Sequence, residues 1–250
     1  MNLKQKLSSN KLTIGSWISL GHPSIAEIMT KSNFDWLTID LEHSVISLAE
    51  VENLIRVIEL SGISPLVRLT ENSTSQIKKV MDSGAHGIIV PMVNSLKDAE
   101  TAIEAAYYPP KGKRSFGLAR AQGFGTKFKE HIKYNQENTI VIVQIEHVDA
   151  LQELEEILSL PQVDAYMIGP YDLSGSMGIP GDIENKEYLE VIKQINAVGK
   201  KMQKPSGIHI VEPNLKLLKK ASEEYAFVAY SVDFRMIEDS CKKALKQINR

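Results

Sequence analysis

Eight short runs rich in β-branched residues recur along the chain, and each is followed by a stretch with the apolar spacing of an amphipathic helix. Strands that alternate with helices pair in parallel, because each crossover helix carries the chain back to the same edge of the sheet. Eight such units within one domain of residues 1–250 predict an α/β fold, a closed (β/α)8 TIM barrel. An open doubly wound sheet is the alternative, but no early strand leads into the Gly-rich turn typical of that fold. The predicted strands are Thr13 to Ser19, Trp36 to Asp40, Pro65 to Leu69, Gly87 to Pro91, Thr139 to Glu146, Ala165 to Gly169, Ser206 to Ile210 and Phe227 to Ser231.

Charge and apolar content exclude several classes of partner. With 43% hydrophobic residues in 250, the chain can bury a large core. A formal net charge of -2 argues against nucleic-acid binding, which needs an excess of Lys and Arg on one face. No apolar run approaches the roughly 20 residues that span a bilayer. The single Cys241 and an amino terminus without a signal-peptide core predict a cytoplasmic protein with no membrane segment.

Polar and charged residues stand at the carboxyl ends of several predicted strands. In a barrel this end carries the active site, because the βα loops bring together side chains from distant parts of the sequence. The long connection from Tyr108 to Asn138, between strands four and five, is a second candidate for a functional segment. The strand-end residues are Asp40, Glu42, His43, Arg68, Gln144, Glu146 and Asp172.

Glu146 and Asp172 each follow a strand-like apolar run. A single acid at such a junction is most often a helix cap or a solvated loop residue. Two acids that converge across a pocket mouth, with few nitrogen or sulfur ligands nearby, instead favour a hard divalent cation. The pair therefore predicts a site for Mg²⁺, Mn²⁺ or Co²⁺ rather than for structural zinc.

Three further strand-end residues have plausible roles beside these acids. His43 follows Asp40 and Glu42, and an imidazole oriented by Asp40 can relay a proton to or from a substrate. Arg68 interrupts an apolar strand, so it either forms an internal salt bridge to Glu42 or another acid, or binds a substrate carboxylate or enolate. Gln144 either positions a metal-bound water or is a satisfied core amide.

Other histidines and both tryptophans are left outside the predicted catalytic set. His22, after strand one and before Pro23, can face the same end of the barrel, and His209 lies within strand seven. The remaining histidines, His86, His131 and His147, have no convergent setting in the sequence. Trp17 and Trp36 are interpreted as packing residues.

In combination and in order, the motifs of this chain resemble those of the HpcH/HpaI family of class II, metal-dependent pyruvate aldolases. Each motif alone is weak, but the match runs over nearly the whole chain. The motifs are Gly15-Ser-Trp17, Phe34-Asp-Trp36, Ile39-Asp-Leu-Glu-His43, Val67-Arg68, Val90-Pro-Met-Val93, Tyr108-Pro-Pro-Lys-Gly-Lys-Arg114, Gln144-Ile-Glu146 and Gly169-Pro-Tyr-Asp-Leu-Ser174.

The resemblance implies a phosphoenolpyruvate/pyruvate-type barrel with a defined set of site residues. Glu146 and Asp172 would ligate the divalent cation, and His43 with Asp40 would serve proton transfer. Arg68 would bind and polarise the pyruvyl group. The remaining substrate-binding residues would be Gln144, Pro170, Tyr171 and Asp172, and the backbone amides around Pro170 to Asp172 would help to hold the carboxylate.

The resemblance also implies an activity and an assembly. A 2-keto-3-deoxy or 4-hydroxy-2-oxo acid would be cleaved reversibly to pyruvate and an aldehyde through a metal-stabilised enolate. A citrate-synthase-like condensing enzyme and a non-catalytic keto-acid-binding barrel are the alternatives. The expected homo-oligomer is a hexamer, a trimer of dimers that exchange the last helix, Asp233 to Leu245. Arg114 and Arg120, in the long connection from Tyr108 to Asn138, would either bind an acidic tail of the aldehyde or anchor subunit contacts.

Overall fold

A computed structural model describes residues 1–246 and 248 of the chain. All eight predicted strands are present, and each end lies at its predicted position or one residue from it. The chain alternates these strands with helices as the apolar spacing predicts. The strands are β1 Thr13–Ile18, β2 Trp36–Asp40, β3 Ser64–Arg68, β4 Gly87–Val90, β5 Ile140–Ile145, β6 Ala165–Ile168, β7 Ser206–Ile210 and β8 Phe227–Val232.

Eleven α-helices are found in the described part of the chain, several of them begun by a side chain that caps the first free amides. Ser47 and Ser95 form capping boxes with Glu50 and Asp98, for example. The helices are α1 Leu3–Ser8, α2 Pro23–Thr30, α3 Leu48–Leu60, α4 Thr74–Asp82, α5 Leu96–Ala106, α6 Phe128–Asn138, α7 Leu154–Ser159, α8 Pro170–Ser176, α9 Lys186–Lys201, α10 Leu215–Glu224 and α11 Asp233–Lys246.

The eight strands pair in sequence order and in parallel, and β8 pairs with β1 to close the barrel. The closed barrel confirms the predicted fold and excludes the open sheet. One apolar cluster fills the space between the strands and the surrounding helices, and a second fills the interior of the barrel. None of the helices that the structure describes has the length and apolar character needed to cross a membrane.

The amino-terminal end of the barrel is closed by α1. Leu3 and Leu7 of this helix belong to the interior apolar cluster. Lys4 fixes the helix through an ion pair of 2.8 Å to Asp164, which directly precedes β6. Since this end is filled, the carboxyl end of the barrel is where a ligand can reach the interior.

Trp36 occupies the lower interior, where its ring stacks on Phe227 with the ring centroids 4.1 Å apart. Gly15 on the neighbouring strand makes room for it, because a Cβ atom there would lie 2.1 Å from the indole. The packing role predicted for Trp36 is therefore confirmed, and Gly15 in the first motif has a steric explanation.

Candidate active site

Asp40 and Arg68 are the last residues of β2 and β3 and lie side by side in the sheet register. The Arg68 Nε donates to Asp40 Oδ1 at 2.8 Å, and Nη2 donates to Oδ2 at 2.7 Å. Nη1 lies 2.9 Å from Glu42 Oε2, although no N–H points at that oxygen. The internal salt bridge that the sequence offered as one explanation of Arg68 is thus present, and it engages both acids.

Burial alone would lower the pKa of Arg68, but the Asp40 and Glu42 carboxylates raise it above its ordinary value. The guanidinium carbon also lies 4.4 Å from the ring centroid of Trp17. Trp17 therefore does more than pack the core, because it supports the charged group at the mouth of the barrel. The two bonds to Asp40 use two of the N–H donors of the guanidinium, so others remain for a ligand oxygen.

Glu146 follows β5 directly and is 3% exposed. Gln144 Nε2 donates to its Oε1 at 2.7 Å, and the backbone N–H of Met92 donates to its Oε2 at 3.1 Å. A Cβ atom at Gly169 would lie 2.4 Å from Oε1, so only glycine leaves room for the carboxylate. Burial raises the pKa of Glu146 to about 7, opposed by the Met92 hydrogen bond.

Two other acids act on Glu146 through space. The charges of Glu42 and Asp172 contribute to the raised pKa of Glu146, against the charge of Arg68. Burial, with repulsion from Asp40 and Asp172, also raises the pKa of Glu42 against the charges of Arg68 and His43. Asp172 itself is exposed in the first turn of α8, after β6. The structure thus brings together the two acids that the sequence predicted as a pair, with Glu42 as a third negative charge beside them.

The oxygen donors here suit a hard divalent cation. Acids that repel one another at a partly buried site are stabilised by a cation between them. A further oxygen beside them, Oε1 of Gln144, is buried without a hydrogen-bond partner. Among the described residues, no group of three or more His, Cys, Asp and Glu side chains could hold a metal alone. A cation held by Glu146 and Asp172 would therefore need water or substrate oxygens to complete its coordination.

His43 differs from its predicted setting. Its side chain is 66% exposed at the mouth, and its Nε2 lies 3.8 Å from Glu42 Oε2. The Asp40 carboxylate accepts the His43 backbone N–H at 3.4 Å but is otherwise committed to Arg68 and the amide of Glu42. The acid nearest the imidazole is therefore Glu42, because Arg68 occupies the oxygens of Asp40.

The start of α8 carries the predicted carboxylate-binding segment. Pro170 is the first residue of the helix and has no N–H, so the amides that this segment can offer a ligand are those of the residues around it. Tyr171 and Asp172 lie in the first turn, where backbone amides lack a partner within the helix. Tyr171 exposes 60% of its surface beside the mouth.

His209 joins the site, although the sequence placed it in the middle of a strand. A Cβ atom at Gly207 would touch the interior ring of Phe227, so Gly207 and His209, two residues apart, both point into the barrel. The His209 ring centroid lies 5.4 Å from that of Trp17. The signal that could have revealed it is a polar side chain at an inward position near the carboxyl end of β7.

The two arginines of the long connection from Tyr108 to Asn138 form hydrogen bonds to residues of their own chain. Arg114 is buried and donates to Asp82 at 2.5 Å, and Arg120 donates to the carbonyl of Ser83 at 3.0 Å. Asp82 and Ser83 lie at the carboxyl end of α4. Because the helices run antiparallel to the strands, this end of the helix is at the amino-terminal end of the barrel, opposite the strand-end acids. Within this chain, both arginines are therefore engaged away from the strand-end acids, and neither of the two roles offered for them by the sequence is seen.

Fold and site together define a (β/α)8 barrel whose carboxyl end gathers several acidic side chains and the partly buried guanidinium of Arg68. The chain belongs to the HpcH/HpaI aldolase/citrate lyase family, whose model matches residues 13–235. The resemblance found in the sequence motifs is thus confirmed.

Named relatives cover almost the whole chain. It is 32% identical to 2-keto-3-deoxy-L-rhamnonate aldolase of Escherichia coli O17:K52:H18, over 97% of this chain and 91% of the relative. It is 34% identical to hydroxypyruvate/pyruvate aldolase of Sagittula stellata, over 94% of this chain and 92% of the relative. A crystal structure of an HpcH/HpaI aldolase/citrate lyase family protein from Burkholderia cenocepacia superposes with a TM-score of 0.92 at 28% identity, covering 98% of each chain.

Proposed function

We propose that this protein is an aldol lyase that reversibly cleaves a 2-keto-3-deoxy or 4-hydroxy-2-oxo acid to pyruvate and an aldehyde. Membership of the family and the named aldolase relatives support a carbon-carbon lyase. The observation that carries the proposal is the position of Arg68, with unused N–H donors, at the same mouth as the Glu146 and Asp172 carboxylates. A keto acid presents adjacent carboxylate and keto oxygens, which suit a cation and a guanidinium.

Glu146 and Asp172 would hold a divalent cation such as Mg²⁺, Mn²⁺ or Co²⁺. When bound, such a cation supplies Lewis-acid stabilisation of negative charge on the keto oxygen. Gln144 fixes the orientation of the Glu146 carboxylate through its 2.7 Å hydrogen bond.

Arg68 would donate to the keto oxygen and draw electron density from C3. Its orientation is held by Asp40, Glu42 and Trp17, so little reorganisation is needed when charge develops. The first-turn amides of Tyr171 and Asp172 would hold the carboxylate of the keto acid.

His43 would move the proton at the C4 hydroxyl oxygen. In cleavage that proton passes to the imidazole, the C3–C4 bonding pair goes to the keto-acid fragment, and C3 then takes up a proton to give pyruvate. The exposed position of His43 at the mouth allows it to exchange protons with solvent between turnovers. Glu42, 3.8 Å from Nε2, would stabilise the protonated ring.

A screen of aldehydes with pyruvate and Mn²⁺ or Mg²⁺, read by product mass, tests the proposal. Products formed with the cation, lost with a chelator and regained on adding the cation back are expected. Full turnover by metal-stripped protein would contradict the metal-dependent mechanism. Release of free CoA from acetyl-CoA and oxaloacetate, with no aldol product, would favour the condensing alternative.

We also propose that the protein assembles as a homo-oligomer, a hexamer in which α11 packs on a neighbouring copy. Phe234, Ile237 and Leu245 lie along one side of this helix and expose 46%, 49% and 55% of their surface. Apolar residues repeated at this spacing on an otherwise polar helix need a partner surface. A second copy of the chain supplies one by symmetry.

A further inference from the structure

His209 places an imidazole in the uppermost layer of the barrel interior, although the mechanism above gives it no task. Its ring is tilted 51° against Trp17, and Trp17 in turn contacts the guanidinium of Arg68. The charges of Arg68 and Asp40 both act on the ring. His209 is therefore linked to Arg68 through the Trp17 ring that both contact.

The hydrogen bonding of His209 fixes its tautomer. Nε2 lies 3.2 Å from the carbonyl oxygen of Ser231, and a carbonyl only accepts, so Nε2 carries the proton. Ser231 has φ 54, in the left-handed region that non-glycine residues rarely adopt. Its backbone is held on both sides, because Ser16 Oγ donates to its carbonyl at 3.3 Å and its own Oγ donates to the Val211 carbonyl at 3.0 Å.

The second ring nitrogen is left as a hydrogen-bond acceptor. Nδ1 has no hydrogen-bond partner among the described residues, and the ring is only partly shielded from solvent. Burial lowers the pKa of His209 to about 4, aided by the charge of Arg68 and opposed by the Ser231 hydrogen bond. The imidazole is therefore neutral near pH 7. A histidine that only filled the core would have both nitrogens satisfied or sealed from solvent.

We propose that Nδ1 of His209 accepts a hydrogen bond from a hydroxyl group of the substrate and so selects hydroxylated substrates over their deoxy analogues. The hydroxyl can be on C3 of the keto acid or on the aldehyde carbon next to the carbonyl, and the chemistry at Nδ1 is the same. This inference rests on the proposed aldol activity and names the substrate class of the same site.

Two substrate pairs distinguish the sources of the hydroxyl. Hydroxypyruvate is compared with pyruvate at a fixed aldehyde, and glycolaldehyde is compared with acetaldehyde at fixed pyruvate, each as a ratio of kcat/KM. In one of the two pairs, the ratio of kcat/KM for the hydroxylated substrate to kcat/KM for its deoxy partner is expected to be about 3- to 10-fold lower in His209→Leu than in wild type. This is the effect of losing one neutral hydrogen bond. The rate with the deoxy partner should fall by a smaller factor than the rate with the hydroxylated partner, because the deoxy partner makes no bond to Nδ1.

Two further variants make the comparison specific. His209→Gln is expected to restore part of the ratio, because an amide can donate to the Ser231 carbonyl and still offer an oxygen as acceptor. His22→Asn is the matched control, since His22 caps α2 through its Nδ1 and asparagine caps equally well. This control should keep the wild-type ratios.

Unchanged ratios in His209→Leu, or an equal loss with hydroxylated and deoxy partners, would overturn the inference. If His209→Leu does not fold, as judged by circular dichroism and thermal unfolding, nitrogen-15 NMR of the wild-type histidines decides. An unprotonated Nδ1 whose resonance moves with hydroxypyruvate or glycolaldehyde, but not with their deoxy partners, is expected, and a protonated or unresponsive Nδ1 would refute it. Failure of wild type to form any aldol product would instead refute the proposed function, while the NMR result still tests His209.

Discussion

The backbone N–H of Met92 donates a 3.1 Å hydrogen bond to Glu146 Oε2 across the mouth of the barrel. Met92 lies two residues after the end of β4, with Pro91 between them. It adopts φ 51, a left-handed conformation that is unfavourable for a residue with a side chain. The amide reaches the carboxylate from this conformation, while Gln144 binds the other oxygen. Glu146 is thus held in one orientation by two partners, one from a loop and one from its own strand.

The orientation of Glu146 leads to a prediction about cation affinity. Gln144→Leu removes the side-chain partner of Oε1, and we expect the affinity for Mn²⁺ to fall about 10- to 100-fold, as for other partners that orient a metal ligand. Isothermal titration calorimetry with Mn²⁺ measures this without turnover. Gln194→Leu, at an exposed position of α9, is the control and should bind as wild type does. Equal affinity in both variants would show that Glu146 needs no support from Gln144.

Arg68→Lys is expected to lower kcat/KM about 100-fold or more while the barrel remains folded. Lysine keeps the charge but cannot bind Asp40 through two nitrogens and reach a ligand oxygen at the same time. Steady-state kinetics with a cleavable 2-keto acid measures the loss. Arg56→Lys, on the surface of α3 beside Glu52, is the matched control. Wild-type kinetics in Arg68→Lys would leave Arg68 with only its structural ion pairs.

Glu59 predicts a pH dependence of stability. His86, whose Nε2 lies 3.7 Å from Glu59 Oε1, lowers the pKa of Glu59 from 4.5 to about 2, together with the Arg120 guanidinium and against the effect of burial. A carboxyl whose pKa is depressed on folding stabilises the protein above its unfolded pKa, and this stabilisation is lost as the pH falls towards the folded value. The Tm difference between wild type and Glu59→Gln should therefore be full above about pH 5 and shrink as the pH falls from 4.5 to 2.

Differential scanning fluorimetry across this pH range measures the Glu59 effect. Glu52→Gln is the control for removal of a carboxylate from the same helix, and its ion pair to Arg56 is exposed at the surface. A Tm difference for Glu59→Gln that stays constant down to pH 2 would contradict the assigned cause.

The exposed apolar side of α11 predicts the consequence of charging it. The double variant Ile237→Glu with Leu245→Glu should break the assembly into smaller species, because two carboxylates would be buried at the contact. Light scattering after gel filtration should give about six times the 27.9 kDa chain mass for wild type and less for the variant. Leu217→Glu, 47% exposed on α10, is the control and should leave the mass unchanged. A monomeric wild type would refute the assembly.

The strands were predictable because their signal is local. A β-branched run bounded by polar or turn residues marks a strand within a few residues of sequence, and both ends of each of the eight strands fall within one residue of their predicted positions. The same locality explains why Asp40, Arg68, Glu146 and Asp172 were found, since a polar residue at the end of an apolar run is visible in sequence.

Partners across the barrel were not predictable in this way. The sequence favoured Asp40 as the companion of His43, but Arg68 lies opposite Asp40 in the sheet register and takes its oxygens. The inward position of His209 near the end of β7 was too weak a signal on its own, because its setting depends on Trp17 from another strand and on the carbonyl of Ser231.

By itself the sequence determined the order of strands and helices, the barrel they close, the family, and the end of the barrel that carries the chemistry. The tertiary structure decided which carboxylates form ion pairs with Arg68 and how the Met92 amide and Gln144 orient Glu146. It also decided which nitrogen of His209 has no hydrogen-bond partner among the described residues. The reason is physical: secondary structure follows from short-range periodicity and burial, whereas charge pairing and tautomers depend on distances of a few ångströms between groups that are far apart in the chain.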